Sequence, residues 1–170
     1  MRPPRAVLFT GILAVTGCAS GTASSSTSDV PETGVVRWTA AFKQTQGAST
    51  AAIIPGQMGS GSAYGSITVT SQLTTPPLTR VEVSVNAPVA SGTQVGWAIF
   101  TGSCGAPTLP VIGPHEFPTI EIGGNNNGSV RASLQVALDP KGTYHANVYW
   151  GSQITDRNNV MMCANLARAR

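Results

Sequence analysis

The strongest constraint on this chain is a two-residue period. In Arg80–Asn86, Val81, Val83 and Val85 alternate with Arg80, Glu82 and Ser84. Successive side chains of a β-strand point to opposite faces, so the pattern describes a strand with one buried side. It recurs in Val35–Phe42 (Val36, Trp38 and Ala40 on one face), in Tyr64–Leu73 (Ile67, Val69 and Ser71), in Ser129–Leu138 and in Thr143–Trp150 (Tyr144, Ala146, Val148 and Trp150). Thr93–Thr101 is apolar on both faces: Val95, Trp97 and Ile99 lie on one, Gly96, Ala98 and Phe100 on the other. Thr119–Ile122 and Val160–Leu166 are shorter candidates, and Ala51–Ile54 is an apolar run stopped by Pro55. Breakers separate these runs, among them Pro76-Pro77, Gly123–Gly128 and the turn Asp139–Gly142. About eight short strands, spaced roughly 10 to 20 residues apart with no amphipathic helix between them, predict an all-β fold, an antiparallel Greek-key sandwich or barrel.

Composition agrees. Only 10% of the 170 residues are charged, against the ordinary ~25%, and there are 19 Gly and 12 Pro. Two of the 10 basic residues, Arg2 and Arg5, precede an apolar segment, Ala6–Val15, that is too short to span a bilayer. Without them 8 basic side chains face 7 acidic ones, a balance of about +1. A nucleic-acid partner needs a basic stripe. Here the only basic cluster is Arg168 and Arg170, expected to be a solvated tail.

The basic and apolar stretches have the layout of a secretory signal peptide. Val15-Thr16-Gly17-Cys18 follows and resembles the bacterial lipobox, in which an aliphatic residue and two small ones precede a cysteine. That resemblance implies cleavage at Gly17–Cys18, a signal peptide over 1–17, and acylation of Cys18 as the membrane anchor of an exported lipoprotein. Several acyl chains hold a protein firmly where one is marginal. Ala19–Gly34 is rich in Ser and Thr and has little to bury, so residues 18–34 are expected to be a tether and 35–170 the folded domain.

With Cys18 acylated, Cys104 and Cys163 remain. In an oxidising compartment an even pair predicts one disulfide. Two free thiols, or half of a metal site, are the alternatives. His115 and His145 are the only histidines. His115 sits beside Glu116 in a Pro-rich loop and His145 in a strand, both expected to be partly exposed. Neither supplies the three protein ligands of a catalytic zinc, and neither a Gly-x-Ser-x-Gly elbow nor a phosphate loop occurs. Trp38, Trp97 and Trp150 lie among aliphatic neighbours and are expected in the core. Exposed together with Tyr149 and Phe100, they would instead offer a stacking surface to a sugar or peptide.

The run from Val95 has a characteristic order. A strand ends in Gly102-Ser103-Cys104-Gly105 and a loop with Pro107, Pro110 and Pro114 follows. Then come Phe117-Pro118-Thr119-Ile120-Glu121-Ile122, a Gly/Asn turn, a strand, Tyr144-His145-Ala146-Asn147-Val148, and a last strand carrying Cys163. This order resembles the Cu/Zn superoxide dismutase-like sandwiches and the related CHRD domains of bacterial lipoproteins, over about Val35–Leu166. In that family two metal-ligand histidines stand in the strand before the Gly-x-Cys turn and another follows Asn-Val. The corresponding positions here are Ala98, Phe100 and Tyr149. The resemblance therefore implies the fold while the substitutions remove the ligands. No metal, other cofactor or enzyme activity is expected, and the implied role is structural or binding, with an unassigned protein or glycan partner. The alternatives are a copper/zinc-binding metalloprotein and a lipoprotein that binds a ligand in an aromatic pocket.

Overall fold

The computed structural model describes residues 34–45, 62–154 and 157–169. Cys18, the tether and the Ala51–Ile54 run lie outside the described residues. Among the described residues there is no α-helix. Ten strands are present: β1 (Val35–Gln44), β2 (Tyr64–Gln72), β3 (Leu78–Asn86), β4 (Gln94–Val95), β5 (Trp97–Thr101), β6 (Ile120–Glu121), β7 (Asn127–Leu134), β8 (Tyr144–Tyr149), β9 (Val160–Asn165) and β10 (Ala167–Arg168).

One curled antiparallel sheet carries the order β5-β8-β9-β1-β2-β3-β7. Strands β1, β2 and β3 follow one another, while the late strand β9 returns beside β1. That arrangement is a Greek key. The chain crosses from β3 at one side of the sheet to β5 at the other, returns through β6 to β7 beside β3, and crosses again from β7 to β8. Strand β1 joins the two halves: Trp38 pairs with Arg168 of β10, and Lys43 with Cys163 of β9. The alternating apolar residues face inward, with Val36, Ile67, Val69, Val81 and Val83 at most 1% exposed.

The structure corrects the sequence reading at four places along the chain. Thr93–Thr101 is two strands, because the chain changes partners at Gly96: β4 pairs with β6 and β5 with β8. Gly96 donates its N–H to the Gly151 carbonyl, and a Cβ there would come within 2.6 Å of Ile154. Ser129–Leu138 stops being a strand at Leu134. The Thr79 hydroxyl donates to the Val136 carbonyl at 2.6 Å and the Ser71 hydroxyl accepts the Leu138 N–H at 2.9 Å. These two wholly buried hydroxyls, 2.9 Å apart, satisfy a backbone that has left the ladder. Val160–Leu166 is interrupted at Leu166, whose N–H turns to the Tyr144 carbonyl before β10 resumes pairing with β1. Arg168 is therefore not part of a solvated tail: it is half-buried and lies in register with Trp38, while Arg170 lies outside the described residues.

The disulfide is formed, joining Cys104 to Cys163 across 59 residues. It fastens the loop after β5 to β9. The open edge of β5 is covered by the same loop, where Pro110 bridges to Phe100 and Val111 donates its N–H to the Ile99 carbonyl. An edge covered by a loop offers no template for pairing with another chain.

Candidate functional site

The register of β5, β8 and β9 fixes which side chains share a face. Phe100 lies opposite His145 and Asn165; Ala98 lies opposite Asn147 and Cys163. Tyr149 donates its N–H to the Gly96 carbonyl, so it falls in the next row on the same side. Ala98, Phe100 and Tyr149 are therefore brought to one face, the side of the sheet turned away from Trp97, Ile99, Ala146 and Val148. Both faces of β5 are covered, which accounts for its unbroken apolar sequence.

The cover on this outer face is the loop after Thr101. Gly102 turns the chain with a positive φ of 82°, a conformation that costs glycine nothing. Beyond it the Cys104 N–H donates to Asn165 Oδ1 at 2.7 Å and the disulfide closes on Cys163. Beneath this cover Ala98 is 0% exposed, Tyr149 2% and Phe100 6%. A cavity of about 580 Å³ remains between loop and sheet, walled by Phe100, Asn147, Tyr149, Arg157 and the disulfide.

His145 is the residue whose environment the sequence reading misjudged. It is 1% exposed. Its ring stacks on Phe100 at 5.2 Å between centroids with 17° between planes, and Nδ1 lies 3.0 Å from the Gly102 carbonyl oxygen. A carbonyl can only accept, so Nδ1 carries the proton in the neutral ring. Burial pushes the imidazole below its ordinary pKa of 6.5, and the Gly102 carbonyl offsets part of that. The unfolded chain thus takes up this proton first as pH falls. Stability should be intact above pH 6.5, decline as pH drops below it, and level off once the folded histidine titrates. Thermal melts between about pH 7 and pH 5 should show this decline, and His145→Gln should flatten it.

Tyr149 is the third position of the face. Burial raises its phenol above the usual range, against the opposing effects of the Asn147 amide and the Arg157 charge. Asn147 Nδ2 donates to the Tyr149 hydroxyl at 3.3 Å. The group is a neutral phenol at physiological pH, not the phenolate a metal would bind. Ala98 and Phe100 carry no donor atom. These residues do not fit copper or zinc. His115 and Glu116 lie in an exposed single turn, Pro114–Glu116, and neither lines the cavity at this face. Among the described residues no group of three or more His, Cys, Asp or Glu side chains converges.

The aromatic side chains divide clearly. Trp97 is 0% exposed, donating Nε1–H to the Pro118 carbonyl at 2.7 Å and meeting Phe117 edge-on. Trp38 is buried edge-on against Tyr144, and Trp150 is half-buried. With Phe100 and Tyr149 also covered, these rings form no stacking surface. The exposed aromatic among the described residues is Tyr64, at 60%. Sequence reasoning missed Asn147, Asn165 and Arg157. The signal for the first was period-two spacing from His145 and Tyr149; no local pattern distinguishes the other two.

Compared with family models, with curated proteins and with solved structures, the chain matches none.

Proposed function

We propose that this chain is a lipid-anchored envelope protein whose superoxide dismutase/CHRD-like β-sandwich holds no metal and serves a structural or binding role. The observation that carries the reading is the content of one face. The three positions where the resemblance expects imidazoles hold Ala98, Phe100 and Tyr149, and the adjacent His145 is spent on Phe100 and Gly102. A side chain already packed and hydrogen-bonded under a disulfide-fastened loop supports the fold. Tether and anchor would hold such a domain at a membrane surface. The Greek-key strand order and the Cys104–Cys163 bridge support the sandwich part of this reading.

Anchor and metal content are tested separately. Cys18→Ala should release the protein from membranes into the soluble exported fraction; continued membrane association that needs detergent to disrupt would contradict acylation at Cys18. No helix among the described residues is long and apolar enough to cross a membrane.

A further inference from the structure

A second surface lies farther along the outer side of the same sheet, on β1, β2, β3 and β7. Tyr64, Asn86 and Asn127 stand in register in one row across it. In the next row, Ala41, Ser66, Ser84 and Ser129 form a low, hydroxyl-bearing floor. The row beyond holds Glu82 and Arg131, closed on each other at 3.0 Å. The first two rows, with Glu121 of β6 and Asn125 of the β6–β7 turn, line an open groove of about 1020 Å³. That is at the upper end of the roughly 300–1,000 Å³ of small-molecule sites.

The polar groups of this groove are positioned in advance. Asn86 Nδ2 donates to Asn127 Oδ1 at 2.9 Å; Asn127 Nδ2 donates to the Asn125 carbonyl, and Asn125 Oδ1 accepts the Asn127 N–H, both at 3.2 Å. Each of the two NH2 groups spends one of its hydrogens in this network and keeps another for a ligand. Beside them the Tyr64 ring stands 60% exposed. Tyr, Ser, Asn and Gly are also the residues of adaptable recognition surfaces, where a rigid ring supplies area and small polar groups supply hydrogen bonds.

We propose that this groove binds a neutral oligosaccharide. The Tyr64 ring would take the C–H face of a pyranose, and the Asn86 and Asn127 amides its neighbouring hydroxyls, with the serine floor close enough to meet the ring edge. Charge selects this ligand over an anion, because among the described residues no Lys or Arg lines the groove while the Glu121 carboxylate does. Topology selects it over an extended peptide, because β2 and β3 are interior strands with their backbone groups already paired. The chemistry is binding and not hydrolysis. Glycosidases use two carboxyl groups, and among the described residues Glu121 is the single carboxylate in the lining. The proposal rests on the binding half of the function above, and on neither the anchor nor the metal question.

The test is calorimetric titration of the full-length chain, in a detergent without a sugar headgroup, with chitotriose, cellotriose and maltotriose at millimolar concentration. Saturable binding of at least one is expected. Tyr64→Ala should weaken it at least about tenfold, a loss of ~1.4 kcal/mol, and Ser84→Arg, which fills the floor, should abolish it. Both positions are exposed, so melting curves should stay close to the parent's. The proposal is overturned if none of the three sugars binds, if binding survives both variants, or if an uncharged Ser/Asn/Gly peptide binds and is lost in the same two variants. Metal analysis of the same preparation reports on the wider reading independently of any of these results.

Discussion

Trp97→Ala should destabilise the domain by about 3–5 kcal/mol, the range for removing a fully buried tryptophan. Domains of this size are stable by only about 5–15 kcal/mol, so the variant should melt on the order of 10 °C or more below the parent. Two losses combine. The indole leaves a cavity against Phe117, whose ring centre is 5.1 Å away, and the Pro118 carbonyl loses the N–H it accepts at 2.7 Å. Trp97→Phe separates them by keeping a ring against Phe117 while deleting the donor, and should cost about 1–3 kcal/mol. Differential scanning calorimetry of both variants checks the order; equal melts for parent and Trp97→Ala would show that the ring is not part of the core.

The second large effect belongs to the disulfide. A bridge between residues 59 apart stabilises chiefly by restricting the unfolded chain, by about 2–4 kcal/mol. The Cys104→Ala/Cys163→Ala variant should therefore melt on the order of 10 °C lower, and reductant should bring the parent to the same melting temperature while leaving the variant unmoved. The bridge also fastens the loop over Phe100 and Tyr149. Fluorescence quenching by acrylamide should consequently rise at Tyr149 when it is opened. A parent melt insensitive to reductant would contradict both roles.

Much of the fold is legible in the sequence because period-two alternation reports burial directly. Val81, Val83 and Val85 predict their own strand and its inner face, and so do Val36 and Trp38. What alternation cannot report is where a strand changes partners. The split at Gly96 depends on Ser152 and Ile154 approaching from a distant part of the chain. The end of β7 at Leu134 depends on Ser71 and Thr79 supplying buried hydroxyls to residues 136–138. Both are tertiary contacts with no local signature.

The site is legible to a different degree. The spacing of Ala98 and Phe100 puts them on one face of a strand, and the even cysteine pair predicts the bridge that closes over them. The burial of His145 departs from expectation, because a histidine in a strand reads as partly exposed. Its burial comes from Gly102 turning the chain back over β8, which supplies both the carbonyl and the shelter. Tyr64 lies at the start of a strand, and only the register with Asn86 and Asn127 gives it neighbours that make a groove.

The proposed function turns on the packed apolar and phenolic face of Ala98, Phe100 and Tyr149, which offers no imidazole to a metal. Its most direct test is elemental analysis of the full-length chain, produced in medium supplemented with copper and zinc and purified without chelators. The account predicts metal well below one equivalent per chain and no change in melting temperature when either ion is added back. One equivalent of copper or zinc per chain, retained through gel filtration, would contradict it.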